Sequence, residues 1–260
     1  MGKKLVITGR GGTGKSTFAA LALRFLPKPR LLVDADPDQS LASLLGADLQ
    51  ASDVHTVAEI LYDIQGGKTA DEVQSLPLPA RVKYLLQLSC VYESSDFDLI
   101  ALGTKWTRGC YCAPNDILRS LISQLASGYA VTIMDSPAGL EHLNRRVLSE
   151  VDDVFAVVDP SAKSIRNTEA VRELAESIRF TYRNLYLVAN FRFPEDQLAR
   201  LQSLSGAAYL GRIAHDPAVE KYDWEGRSLL EIPADSPGPA SVRRILTKAG
   251  YRLEGKAWPA

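Results

Sequence analysis

The sequence predicts an α/β fold: a single domain with a mostly parallel sheet and helices on both faces. Three observations predict it. Short apolar, β-rich runs recur at Leu5–Thr8, Leu31–Asp34, Leu99–Leu102, Val131–Asp135, Val154–Val158 and Leu185–Asn190, with Tyr209–Ile213 as a final candidate. Such runs, apolar on both sides, are what buried parallel strands need. Segments with helical spacing, Thr17–Leu26, Ile117–Leu125 and Ile165–Ile178, fall between them as crossovers between parallel strands must. Finally, 260 residues with 46% hydrophobic and 23% charged content suffice to bury one sizeable core.

The stretch from 46 to 95 is less regular. It contains a helix expected over Val57–Ile64, then Gly66-Gly67, then Pro77 and Pro79 ahead of another helical segment, and it reads as an insertion after the second strand. Near the C-terminus the Pro-rich segment Pro233–Pro239 introduces a helix expected over Ser241–Ala249. No internal repeat or interdomain linker interrupts the chain, so residues 1–260 are expected to form one domain.

Thirty basic residues against 31 acidic leave a net charge of −1, so no global field draws nucleic acid or anionic lipid, and stable binding to either is not expected. The apolar run after Met1-Gly2-Lys3-Lys4 is too short for a secretory signal, and no stretch approaches a membrane span. Val6 stands where a myristoylation motif wants Ser or Thr. A soluble cytoplasmic protein is the expectation. Three cysteines make no disulfide framework, and a close pair such as Cys110 and Cys112 points instead to metal or redox chemistry.

Gly9-Arg10-Gly11-Gly12-Thr13-Gly14-Lys15-Ser16 matches G-x-x-x-x-G-K-[ST] directly after an apolar strand and before a helix that begins about Thr17, the context that gives the motif its meaning. Glycines let backbone N–H groups curl around phosphate oxygens, the helix N-terminus adds its dipole, and Lys15 neutralises the β- and γ-phosphates. Ser16 would place its hydroxyl on Mg²⁺. A plain glycine turn is the bland alternative, which the full motif in full context outweighs. No guanine-reading Asn-Lys-x-Asp follows a late strand, so ATP is the expected nucleotide, with Asn190 placed to read an adenine edge. Asp135 closes the fourth apolar run, as a carboxylate holding Mg²⁺ through water does. Asp34 and Asp36 follow the second run, with Asp36 placed to orient the attacking water. One Asp at a strand end is usually a turn or cap residue; three around one phosphate loop are harder to dismiss.

Together, Gly9–Ser16, Asp34-Ala35-Asp36-Pro37 and Asp135-Ser136-Pro137-Ala138-Gly139 resemble the MinD/ParA/nitrogenase-iron-protein family of deviant Walker-A ATPases, over nearly the whole chain. The resemblance implies nucleotide-driven homodimers, with Asp36 in switch I and Asp135 through Gly139 forming switch II. Within it, Gly109-Cys110-Tyr111-Cys112-Ala113-Pro114-Asn115, Ala138–Leu143 and Trp224–Leu230 look like the CooC branch, ATPases that help insert nickel into carbon monoxide dehydrogenase. One departure stands out: the family's signature lysine, which reaches the partner's nucleotide across the dimer, is here Arg10. Arginine keeps the charge and can clamp phosphate bidentately.

Side chains at i and i+2 share a side only on extended backbone, so Gly109–Cys112 is expected to be extended or looped, just before a helix whose N-terminus lowers thiol pKa. Two thiolates cannot complete a tetrahedral site, but two symmetry-related pairs can, placing Zn²⁺ or Ni²⁺ on a dimer axis. An iron–sulfur cluster there is the alternative, and buried apolar cysteines are the bland one. Cys90 is expected in the core. His55, His142 and His215 are scattered, and only His142, beside switch II, merits attention. These readings converge on an ATP hydrolase acting as a metallochaperone for a client metalloenzyme. The competitors are an ATP-driven iron–sulfur electron carrier and a ParA/MinD-type partitioning ATPase.

Overall fold

All seven apolar runs become strands of one eight-stranded sheet. The computed structural model describes residues 2–36, 38–103, 122–136, 150–166, 173, 180–198, 201 and 207–254. In chain order these form β1 (Lys3–Thr8), α1 (Lys15–Leu23), β2 (Arg30–Asp34), α2 (Ser40–Leu44), α3 (Val57–Gln65), α4 (Asp71–Gln74), α5 (Leu78–Ser89), β3 (Tyr92–Glu93), β4 (Asp98–Ala101) and β5 (Val131–Asp135). The second half adds β6 (Glu150–Val158), β7 (Thr181–Ala189), β8 (Ala208–Arg212), α6 (Pro217–Trp224) and α7 (Pro237–Lys248). Residues 122–126 and 162–166 are helical as well.

The strand order is β3-β4-β2-β5-β1-β6-β7-β8, and every pairing is parallel except β3 with β4. β1 alternates as a doubly covered strand should. Leu5 and Ile7 pack with Phe18 and Leu21 of α1 and with Val242 and Ile245 of α7. Val6 faces the other way, toward Ile60 and Leu61 of α3, Val82 and Leu86 of α5, and Ile122. A third cluster, including Val158, Leu187, Phe193 and Leu201, covers the β6–β7 end. Burying each large aliphatic side chain contributes about 1.5–3 kcal/mol, so helices on both faces are what hold this sheet between two apolar layers. Cys90 lies in this core as expected, its thiol pushed up to about 12 by burial.

Several boundaries differ from the sequence reading for identifiable reasons. β6 and β7 begin four residues before their apolar runs because Glu150–Asp153 and Thr181–Asn184 extend the ladder at a partly exposed end, where polar side chains are tolerated. α1 starts at Lys15, inside the phosphate motif, and ends at Leu23 rather than Leu26. α7 starts at Pro237, so Pro237 and Pro239 lie within its first turn instead of leading into it, where a missing N–H is harmless. β3, α2 and α6 carried too short or too polar a pattern to be read.

Local chemistry explains the starts of α3 and α6. Thr56 and Glu59 form a complete capping box on α3. Asp216 caps α6 through Ala218 N–H and also accepts from Ser236 Oγ (2.6 Å) and Gly238 N–H (2.9 Å), so one buried carboxylate fastens the starts of both C-terminal helices behind β8.

Candidate nucleotide-binding site

The loop between β1 and α1 leaves the sheet at its centre. Gly9 must lie flat against β6: a Cβ there would sit 2.3 Å from the Val157 carbonyl oxygen. Gly12 and Gly14 adopt φ of 75° and 91°, which L side chains rarely tolerate, and added Cβ atoms at Gly11, Gly12 and Gly14 would meet nothing within 4 Å. The loop is thus an open cradle pinned at one end. Thr13 closes it internally, donating from its hydroxyl to the Arg10 carbonyl at 2.8 Å, while Thr17 lies half-buried in the first turn of α1.

Lys15 is buried, and its ammonium meets the Asp36 carboxylate at 3.3 Å. Asp36 therefore reaches the phosphate loop across the space between β1 and β2. Asp34 turns both oxygens to backbone: Oδ1 accepts from Asp36 N–H (3.0 Å) and Oδ2 from Leu41 N–H (3.1 Å), bracing the turn that carries Asp36. Its place is to position that turn.

Asp135 is different. It lies opposite Ile7 on one side and Asp34 on the other, wholly buried, and neither carboxylate oxygen has a hydrogen-bond partner among the described residues. Thr8 Oγ1 and Ser136 Oγ, buried on the same two strand ends, are also unpartnered. Burial pushes Asp135 up to about 6, partly offset by the nearby Ser16 hydroxyl and Lys15. Burial, then the Asp135 charge, pushes Asp34 up to about 7. A buried carboxylate normally finds partners; one left bare beside a phosphate loop suits a hard divalent cation held through oxygen ligands and water. Ser16 stands ready beside it, its hydroxyl accepting from Ser40 Oγ at 3.1 Å. The donor set fits Mg²⁺.

Arg10 turns away from the cradle within its own chain: Nη1 donates to Ser161 Oγ at 3.0 Å. Ser161 is held in turn by Asp159, which accepts from its hydroxyl (2.5 Å) and its N–H (2.9 Å). Asn190 is buried at the end of β7 on the same edge of the sheet, with Oδ1 accepting from Arg192 N–H at 3.1 Å. Sequence reasoning missed Thr8, Ser40, Asp159 and Ser161; short polar side chains at the ends of strands and helices carry no spacing signal, and only the completed fold brings them together. Cys110, Cys112, Gly139, His142 and Pro37 lie outside the described residues. Among the described residues no group of three or more His, Cys, Asp or Glu could hold a metal ion, and no helix is long and apolar enough to cross a membrane. His55 and His215 instead face Asp53 (3.9 Å) and Glu220 (3.2 Å).

No family model matches the sequence. The chain is 29% identical over 254 residues to an uncharacterized ATP-binding protein of Methanocaldococcus jannaschii, spanning 94% of this chain and 97% of the relative. It is 26% identical over 239 residues to the carbon monoxide dehydrogenase accessory protein CooC of Rhodospirillum rubrum, spanning 88% and 90%. Among solved structures, the MinD cell division protein of Aquifex aeolicus superposes with a TM-score of 0.66 at 20% identity, covering 98% of this chain and all of that one. A ParA family ATPase from Chlorobium tepidum superposes at 0.67, also at 20% identity, over 93% and 97%.

Proposed function

We propose that this chain, a CooC-type P-loop ATPase of the MinD/ParA family, uses ATP hydrolysis to switch a homodimer that carries nickel for a carbon monoxide dehydrogenase-type client. The observation that carries the nucleotide half is the bare Asp135 carboxylate beside Ser16, with Lys15 held by Asp36. Ser16 and Asp135 would hold Mg²⁺, which would supply positive charge to neutralise the phosphates. Lys15 exchanges Asp36 for the β- and γ-phosphate oxygens. Asp36, released, accepts a hydrogen bond from the water whose oxygen attacks the γ-phosphorus as the bond to the ADP oxygen breaks. Gly9, Gly11, Gly12, Thr13, Gly14 and Thr17 form the cradle and its helix start, Gly139 belongs to switch II, and Asn190 reads the adenine edge. Arg10 leaves Ser161 to contact the partner's nucleotide.

For the metal half, the similarity to CooC and the Cys110-x-Cys112 pair support the reading. One pair from each protomer gives four thiolates for Zn²⁺ or Ni²⁺. In this reading residues 1–260 work as one cytoplasmic ATPase domain with an insertion at 46–95. The likeness to MinD and ParA structures extends to the fold alone, so it brings no membrane or nucleic-acid partner with it. The test is metal content and molecular mass of anaerobically purified protein with and without Mg-ATP. The expected result is about one ion per two chains, lost in Cys112→Ser, with ATP affinity retained in that variant and reduced by about two orders of magnitude in Lys15→Ala. One ion per monomer overturns the shared site; a brown, iron-containing dimer makes the chain an electron carrier instead.

A further inference from the structure

β8 ends the sheet, pairing with β7 and with no strand beyond it among the described residues. Along this open edge runs a groove of about 460 Å³ lined by residues of both layers. Leu198 and Tyr209 border it from one face, where they pack on the Leu187–Phe193 cluster. Arg244 and Lys248 border it from α7, which is anchored on the opposite face by Val242, Ile245 and Leu246. A groove that straddles a strand edge exposes backbone as well as side chains, and Gly211 within β8 carries no side chain to screen it.

Its charge is unbalanced. Arg212 is satisfied by Glu195 (2.8 Å) and by the Phe193 carbonyl (2.9 Å). Arg244 and Lys248 are exposed, one helical turn apart, and neither has a partner among the described residues. Like charges at i and i+4 repel, so the pair is an arrangement that an incoming anion relieves. Their separation also selects the shape of that anion. Residues one turn apart on a helix have Cβ atoms roughly 5–6 Å apart, close to the roughly 6.6–6.8 Å between same-face residues of a strand. Carboxylates at i and i+2 of an extended chain would meet both cations at once.

We propose that the free edge of β8 binds an extended acidic peptide segment of a partner protein by strand addition, with backbone pairing to β8 and alternate carboxylates on Arg244 and Lys248. Edge strands recruit peptides in this way, and side-chain pockets beside the edge then set the preference; the register shift that leaves Leu210 unmatched in β8 confines regular pairing to the residues on either side of it. The peptide is favoured over a nucleic-acid backbone because the groove follows a strand edge, whose N–H and C=O groups pair with another backbone amide and not with a sugar–phosphate chain.

The test uses the full chain and three fluorescent probes, read by anisotropy: a peptide of alternating Glu and Val, the same peptide with a central proline, and a single-stranded oligothymidylate. The acidic peptide should bind saturably. The proline version should bind about tenfold more weakly, because proline cannot donate to the ladder. The double variant Arg244→Glu/Lys248→Glu should lose about as much again for the acidic peptide, with ATP affinity unchanged as evidence that it is folded. Absence of peptide binding, or equal binding of the two peptides, overturns strand addition. Tighter binding of the oligothymidylate, abolished in the double variant, makes the groove a phosphate-backbone surface and likewise overturns it.

Discussion

Two buried aspartates flank β1 and are treated in opposite ways. Asp153 lies opposite Leu5, accepts from Asn184 Nδ2 (2.7 Å) and from the Tyr251 hydroxyl, and has Lys3 Nζ at 3.6 Å. Asp135 lies opposite Ile7, two positions further along, and has no hydrogen-bond partner among the described residues. The first is a fastener and the second a socket. In a core where most polar groups are paired, a buried carboxylate with two unpaired oxygens, beside the unpaired hydroxyls of Thr8 and Ser136, marks where the chain expects something it does not itself supply.

Replacing each aspartate breaks that comparison in a different measurement. Asp135→Asn should lower kcat for ATP hydrolysis by about two to three orders of magnitude, since the group proposed to hold the cation loses its charge; steady-state phosphate release checks it, and a loss under tenfold would contradict the socket. Asp153→Ala should leave kcat unchanged but cost about 3 kcal/mol of stability, because the Asn184 amide and Tyr251 hydroxyl are left buried without their acceptor. Urea denaturation measures this, and a cost below about 1 kcal/mol would argue against the fastener.

The pH dependence sharpens the contrast. Asp34 and Asp135 are pushed up to about 7 and about 6, so the native state keeps protons that the unfolded chain releases near pH 4. With these groups, stability of the protein in EDTA without nucleotide should fall as pH rises from about 4 to about 7. Asp135→Asn should flatten part of that fall, seen as a smaller drop in melting temperature, and Mg-ATP should offset it in the parent chain. An unchanged slope in the variant would mean that Asp135 is not the titrating group. The smallest expected effect belongs to Ser161→Ala, which removes the hydrogen bond to Arg10: about 0.5–1.5 kcal/mol of stability, with monomer affinity for ADP unaltered.

The contrast also explains what could be read in the residues alone. The strands were legible because apolar β-branched runs have few other uses in a buried sheet, and the cradle was legible because its geometry demands glycines and a lysine at set intervals. Asp135 could be named as a strand-end carboxylate but not as an unpartnered one, since its isolation depends on β5 standing between β1 and β2. Asp36 was read as a water-orienting group, and the structure adds its contact with Lys15, which no spacing announces. Asp153 left no mark in the sequence: its partners come from β7 and from beyond α7, and only the completed fold brings them to one oxygen pair.

That last dependence has a consequence for synthesis. Tyr251 follows Asp153 by 98 residues, and at a translation rate of about 5–20 residues per second the carboxylate waits roughly 5–20 s for its hydroxyl partner. Glu254 comes later still, and it ties the segment after α7 to Phe25 and Arg30 beside the first strands. The central strands of a nascent chain are therefore made early and secured late. Ribosome-bound chains stopped before Tyr251 should be cut by protease within β6, whereas chains extended far enough for Glu254 to leave the ribosome should resist.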